Sequence, residues 1–244
     1  MIAAPDPHRL AARASGAKRI LVADIGGSHV KVMISASERR KFPSGPRMTP
    51  RKFTAALRDN VKNWNFDALA IGFPAPVHNG RILAEPKNLG GGWRGFDFRK
   101  ALSKPARVVN DAALQALGSY RGGRMLFLGL GTGVGSALIY DRTVLSLELG
   151  DLPYLEGKSF ETRFGDQGLR KLGKQRWVDM IGPVLQQMRI AFIADYVVLG
   201  GGNAKLIPRL PEGIEPGHNR NVFRGGQRLW ETDAKTRRAK WTIF

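Results

Sequence analysis

Cysteine is absent from the 244 residues, which excludes a disulfide framework and thiolate metal centres and suits a reducing compartment, so a cytoplasmic protein is expected. Long apolar runs are missing as well. No stretch could span a bilayer, and the opening MIAAPDPHRLAARASGAKR lacks the unbroken apolar centre of a signal peptide. Residues 1–19 read as a flexible basic tail. Acid is scarce: 20 Asp and Glu face 39 Lys and Arg, leaving a formal charge of +19, far more than solubility needs. Either the composition reflects habitual arginine use and basic ends, or some polyanion is a partner. The excess runs through the body of the chain, as in RFGDQGLRKLGKQRW from Arg163 to Trp177, so trimming the ends would not neutralise it.

What the chain does have is apolar content, 43%, enough for real cores, and a pattern that occurs twice. RILVADIGGSHVKVMIS reads as strand, glycine turn, strand, followed by the amphipathic helix RKFTAALRDNVKNW, the buried strand FDALAIGFPAPV, a long glycine loop in GRILAEPKNLGGGW, the helix DFRKAL and the strand ARVVND. The helix AALQALGSY follows, and then the pattern starts again. RMLFLGLGTGVGSALIY is a second strand, turn and strand, with a long helix in WVDMIGPVLQQMRIAF and a strand breaking on three glycines in DYVVLGGGNAKLI. Two halves of this kind predict a duplicated α/β fold with a cleft between them, 20–110 and 111–230, and a polar basic tail over 231–244.

Glycine turns at strand ends let backbone N–H groups approach an anion closely. Any one such loop could be an ordinary hairpin turn; three of them, DIGGS, GLGTGVG and LGGGNAK, are harder to dismiss. The dinucleotide fingerprint fits neither frame, since Gly129 and Gly131 put Val134 in the sixth place and Gly131 and Gly133 put Ser136 there. Gly168, Gly173 and Lys174 match Walker spacing, but Gln175 replaces the Ser or Thr and no apolar strand precedes them. The neighbours of the three loops are chemically useful. Asp24 and Lys31 flank the first, Thr132 lies in the second, and Asn110 and Asp111 end the strand before it. Together they suit a metal-bound phosphate chain beside a hydroxyl that loses its proton, although Asp111 could equally cap the helix that follows it.

ADIGGSHVK, VVNDA, LGLGTGVGSAL, LELGD and VVLGGGNAK, in this order, resemble the sugar kinases of the ROK (repressor, open reading frame, kinase) family, in the hexokinase and actin-like superfamily, and most of all its polyphosphate glucokinase branch. The resemblance covers about Ile20 to Trp230, and it implies a two-domain actin-like, ribonuclease H-like fold with a cleft between the halves. It further implies transfer of a phosphoryl group from polyphosphate or ATP to the primary hydroxyl of glucose or a related sugar, with magnesium as cofactor and a homodimer as the assembly. On this likeness Asp24 would hold the magnesium through water, Gly26, Gly27 and Ser28 would offer N–H groups to the transferred phosphoryl, and Lys31 would lie near its charge. Gly131, Thr132 and Gly133 would grip the inner phosphates, and Gly200, Gly201 and Gly202 would border the adenosine of a nucleotide donor. Asn88, Asn110, Asp111, Glu148, Asp151 and Glu161 would hold the sugar, with Asp111 as general base, while Glu148 and Glu161 could also be merely solvated acids.

The family's zinc-binding cysteine cluster is missing here, as it is in the polyphosphate glucokinase branch. Asp151 departs from the family in another way, standing where a histidine is usual, so a changed sugar preference or a weakened activity is implied. A noncatalytic polyanion- or sugar-binding protein with a decayed site is the alternative. About 19 residues precede the first strand, too few for a helix-turn-helix, so no DNA-binding module is expected. Arg163, Arg170, Lys171, Lys174 and Arg176 are candidates to line the path of a polyphosphate chain, or are simply a solvated basic helix.

Overall fold

The computed structural model describes residues 18–35, 37–218 and 220–244. The expected tail over 1–19 thus lies outside the described residues except for Lys18 and Arg19.

The first hairpin pairs β1 (Ile20–Ile25) antiparallel with β2 (His29–Met33), and β3 (Arg39–Pro43) adds to its far edge. All six residues of β1 are buried because both of its faces are covered, as strand alternation requires. Leu21, Ala23 and Ile25 join one core with Phe53, Leu57, Phe73, Trp93 and Phe98, while Ile20 and Val22 join another. The first core is closed by α1 (Pro50–Val61), which starts on the Thr49 cap with proline in its first turn and buries Phe53, Leu57 and Val61 at helical spacing. Next come β4 (Ala68–Phe73), the small hairpin of β5 (Val77–His78) and β6 (Arg81–Ile82), α2 (Phe98–Leu102) capped by Asp97, and β7 (Ala106–Asn110). The sheet order is β3-β2-β1-β4-β7, with β1, β4 and β7 parallel.

After α3 (Asp111–Ser119) the same plan repeats. It runs through β8 (Met125–Leu130), β9 (Val134–Tyr140), β10 (Thr143–Leu147), the helices α4 (Phe160–Phe164), α5 (Asp166–Leu172) and α6 (Lys174–Ala191), then β11 (Tyr196–Gly200) and β12 (Ile214–Pro216). The second sheet reads β12-β11-β8-β9-β10, the first sheet's order of hairpin, edge and parallel strands, with β13 (Thr242–Ile243) added beside β10. Helix α3 and α7 (Asn221–Leu229) pack against each other. Their apolar side chains join those of both sheets, from Val22 and Ala70 to Phe127 and Ile139, in one central core. The architecture is a two-domain α/β fold. Among the described residues no helix is long and apolar enough to cross a membrane.

One expectation needs correction. Residues 231–244 are not a tail: Trp241 is buried, its ring 5.7 Å from that of Tyr120 and its indole N–H donating to Glu231 at 3.2 Å, and Thr242 and Ile243 extend the second sheet. Aromatic anchors at the end of a polar stretch hold it down. β3 has no counterpart in the sequence reading, because four of the five residues of RRKFP face solvent and give no apolar alternation. The Walker-like run is a helix, a glycine bend at Gly173 and another helix, so the match was one of spacing alone.

Candidate active site

Both glycine hairpins lie beside the start of α3: Asp24 of the first acts electrostatically on Asp111, and a Cβ on Gly135 of the second would come within 2.9 Å of the Ala112 Cβ. Asp24, the last residue but one of β1, is buried and lies directly across the ladder from Lys31, whose ammonium lies 3.5 Å from its carboxylate. Burial raises the Asp24 carboxyl above the ordinary range, and Lys31 opposes that shift. In the turn that follows, the Gly26 N–H is spent on the His29 carbonyl at 3.0 Å, so contact with an incoming anion falls to Gly27 and Ser28. Gly27 is required by close approach: a Cβ there would come within 2.8 Å of the Asn88 Cβ. The sugar-loop asparagine inferred from the resemblance is thereby packed onto the first glycine turn.

The start of α3 resolves the ambiguity over its cap. Asn110 holds the cap position, its Oδ1 accepting the N–H groups of Ala112 at 2.9 Å and Ala113 at 3.4 Å. Asp111 is the first helical residue, half-buried, with one carboxylate oxygen accepting the Ala112 N–H at 2.8 Å. Its carboxyl is pushed up to about 7, first by burial and then by the negative charges of Asp24 and Glu148. Those two acids therefore lie close enough to act on it. Glu148 follows β10 at the mouth of the cleft, its own carboxyl raised by partial desolvation and by Asp151, with Lys87 acting in the opposite sense.

Beyond Glu148 the mouth is charged and bridged. Lys87, which the sequence reading did not single out, reaches from the loop after β6 to Asp151 at 2.8 Å and Glu161 at 3.3 Å. These contacts raise the Lys87 ammonium, the Asp151 hydrogen bond most of all. Glu161 turns its other oxygen to the Val134 N–H at 3.1 Å, so it braces the second glycine turn as well as facing the cleft.

In that second turn Gly131 N–H closes on the Gly133 carbonyl at 3.0 Å, leaving exposed Thr132 at its tip. Asn203, from the third glycine loop, donates to the Gly131 carbonyl at 3.3 Å and to Asp166 at 2.7 Å, tying the second and third loops together. Within the third loop Gly201 has φ +83°, and a side chain there would strike the Leu130 carbonyl oxygen at 2.0 Å, which only glycine avoids. Gly200 and Gly201 border a pocket that also takes in Gln115, Phe127, Lys205 and His218; Gly202 lies just beyond them. Asn203 and Lys205 were within reach of sequence reasoning, since both belong to the quoted LGGGNAK. Lys87 and Gln115 carried no motif.

The basic segment is only partly available to a ligand. Arg170, Lys171, Lys174 and Arg176 are exposed, whereas the Arg163 side chain is nearly buried and bound to Glu156 at 3.1 Å. Arg163 is an internal strut, and its expected place on an anion path is corrected.

No protein-family model matches the chain. In sequence it is 25% identical over 209 residues to a polyphosphate glucokinase of Mycobacterium leprae, an alignment that takes in 76% of this chain and 64% of that protein. A polyphosphate glucokinase of Mycobacterium tuberculosis is 25% identical over 202 residues, 73% of this chain and 76% of that one. The chain thus spans somewhat less than two thirds of the length of the Mycobacterium leprae relative. In structure it is similar to the inorganic polyphosphate/ATP-glucomannokinase of Arthrobacter sp. strain KM, with TM-score 0.74 at 23% identity over 85% of this chain and 96% of that one. It is also similar to a ROK-family glucokinase of Streptomyces griseus solved with glucose and AMPPNP, with TM-score 0.66 at 15% identity over 84% and 97%. The five motifs, the twice-used strand order and these likenesses agree: the chain has the fold of the ROK-family sugar kinases, and polyphosphate glucokinases are among the proteins it is similar to in sequence.

Proposed function

We propose that the protein is a hexose kinase that transfers a phosphoryl group from polyphosphate or ATP to the primary hydroxyl of glucose or a related sugar. The observation that carries this reading is Asp111, a half-buried carboxyl at about 7 beside Asp24 in the cleft. A base at that value is half ionised near neutral pH, where a general base works best. Asp111 takes the hydroxyl proton, the sugar oxygen forms a bond to the donor's terminal phosphorus, and the phosphorus–oxygen bond to the donor breaks with its electron pair leaving on the donor oxygen. Asn88, Asn110, Glu148, Asp151 and Glu161 surround the sugar. Asp24, Gly27, Ser28 and Lys31 face the transferred group, Thr132 and Gly133 the inner phosphates, since the Gly131 N–H is already bonded, and Gly200 to Gly202 a nucleotide.

Among the described residues no cluster of three or more His, Cys, Asp or Glu forms a metal cage. The buried carboxylate of Asp24 fits a magnesium ion that arrives on donor phosphates and keeps its waters. Such an ion, held through water by Asp24, would neutralise donor charge. The cysteine-free chain suits the reducing cytoplasm, and a homodimer belongs to the same proposal.

The deciding experiment is a coupled assay of the purified protein with a panel of hexoses, each crossed with ATP and polyphosphate. A sugar phosphate formed from glucose or an epimer with either donor is expected. No product with any pair would refute the reading.

A further inference from the structure

Lys87 joins the two halves of the molecule at the mouth of the cleft, and no motif accounts for it. It belongs to the first half, next to Asn88, whose Cβ is packed on the Gly27 turn. Its ammonium is held by two carboxylates of the second half, Asp151 at 2.8 Å and Glu161 at 3.3 Å. Glu161 in turn accepts the Val134 N–H at 3.1 Å, directly after the Gly131–Gly133 turn, and so close to it that a Cβ on Gly133 would lie 2.4 Å from the same oxygen. One lysine therefore connects the first glycine turn, through the Asn88 loop, to the second glycine turn, through one carboxylate.

Charge gives the same connection a second purpose. Glu148, Asp151 and Glu161 gather at the mouth, and Lys87 acts electrostatically on Glu148 while bonding the other two. Without that cation three carboxylates would face one another across a site meant for a neutral polyol. The contacts are solvent-exposed, with 63% of the Lys87 side chain and 58% of that of Asp151 accessible, so each is weak enough to break and re-form as ligands pass.

We propose that Lys87 is a positioning residue for the sugar, a clasp whose pairing with Asp151 and Glu161 holds the Asn88 loop in register with the second glycine turn. The pairing also accounts for a carboxylate at position 151, since its partner is a lysine. The inference rests on the kinase reading of the cleft.

The test is a double-mutant cycle of Lys87→Met and Asp151→Asn, with Lys87→Arg as the conservative variant and Lys62→Met, remote on the surface, as control. Steady-state kinetics are measured at low and high salt, with melting temperatures on the same samples. Lys87→Met is expected to raise the sugar KM about fivefold, the scale of an exposed ion pair, with kcat and the donor KM changed less than about twofold. The double variant should be no worse than the worse single, Lys87→Arg should stay near wild type, and salt should raise the sugar KM of the wild type but not of Lys87→Met. A sugar KM in Lys87→Met equal to that of the wild type, or losses that simply multiply in the double variant, would overturn the clasp. Should the wild type turn over no hexose with either donor, it is the kinase reading that fails. The clasp is then judged by the melting temperatures: non-additive shifts support it and additive ones overturn it.

Discussion

Replacing Asp111 by asparagine removes its titrating proton while keeping its shape at the first position of α3, so turnover and stability should move in opposite directions. The folded-state carboxyl is pushed up to about 7 from 3.8, chiefly by burial. Between those values the folded protein keeps a proton that the unfolded chain has released, so stability falls as pH rises from about 4 to about 7 and levels off above. The difference sets a ceiling of about 4 kcal/mol at pH 8. Asp111→Asn lifts that penalty without touching the Asn110 cap, and its melting temperature should exceed the wild type's by several degrees at pH 8 while matching it near pH 4. Turnover should fall by roughly 10²-fold or more. In the wild type the ionised fraction of the free protein rises from roughly 0.1 at pH 6 to roughly 0.9 at pH 8, so kcat/KM should climb about tenfold over that range. Thermal melts and initial rates on the same preparations decide it. A flat rate profile between pH 6 and 8, or an Asp111→Asn protein that is destabilised and still active, would refute the assignment.

Asp24→Asn keeps the ladder across from Lys31 and removes the negative charge, so metal-dependent turnover should drop at least tenfold with the melting temperature preserved or raised; unchanged turnover in the folded variant would free Asp24 of any role. Reversing charge together at Arg170, Lys171 and Lys174, all exposed, should raise the KM for polyphosphate far more than that for ATP, because a chain of phosphates gains affinity by releasing counterions along a cationic path. Equal effects on the two donors would remove this helix pair from the donor path. Ile193 closes α6 with φ +49°, its neighbour Ala194 donating to Arg189 at 2.9 Å, and its side chain is 72% exposed. Ile193→Gly should therefore stabilise by about 1 kcal/mol, seen as a rise of roughly 2–4 °C on melting.

The sequence was explicit wherever chemistry and periodicity are local. Alternation along β1 separates Leu21, Ala23 and Ile25 from Ile20 and Val22, and the two strand–turn–strand units announce the duplicated sheet order. The pairing of Asp24 with Lys31 across a glycine turn could be read from spacing alone, since an antiparallel hairpin fixes which residues face. What depends on distant partners was not legible. Whether Asn110 or Asp111 caps α3 turns on the backbone angles at one residue. The burial of Trp241 depends on Tyr120, far back in the chain, and nothing in RRKFP signals a strand until β2 offers an edge. Lys87 looked like one more cation in a chain with 39 of them; only tertiary structure sets it against Asp151 and Glu161, 64 and 74 residues away. Local pattern fixes which atoms an element can present, because neighbours along a strand or helix are held by its own geometry. Which carboxylate meets which lysine is decided when two separately wound sheets close on a shared core, and the packing that closes them leaves no local trace.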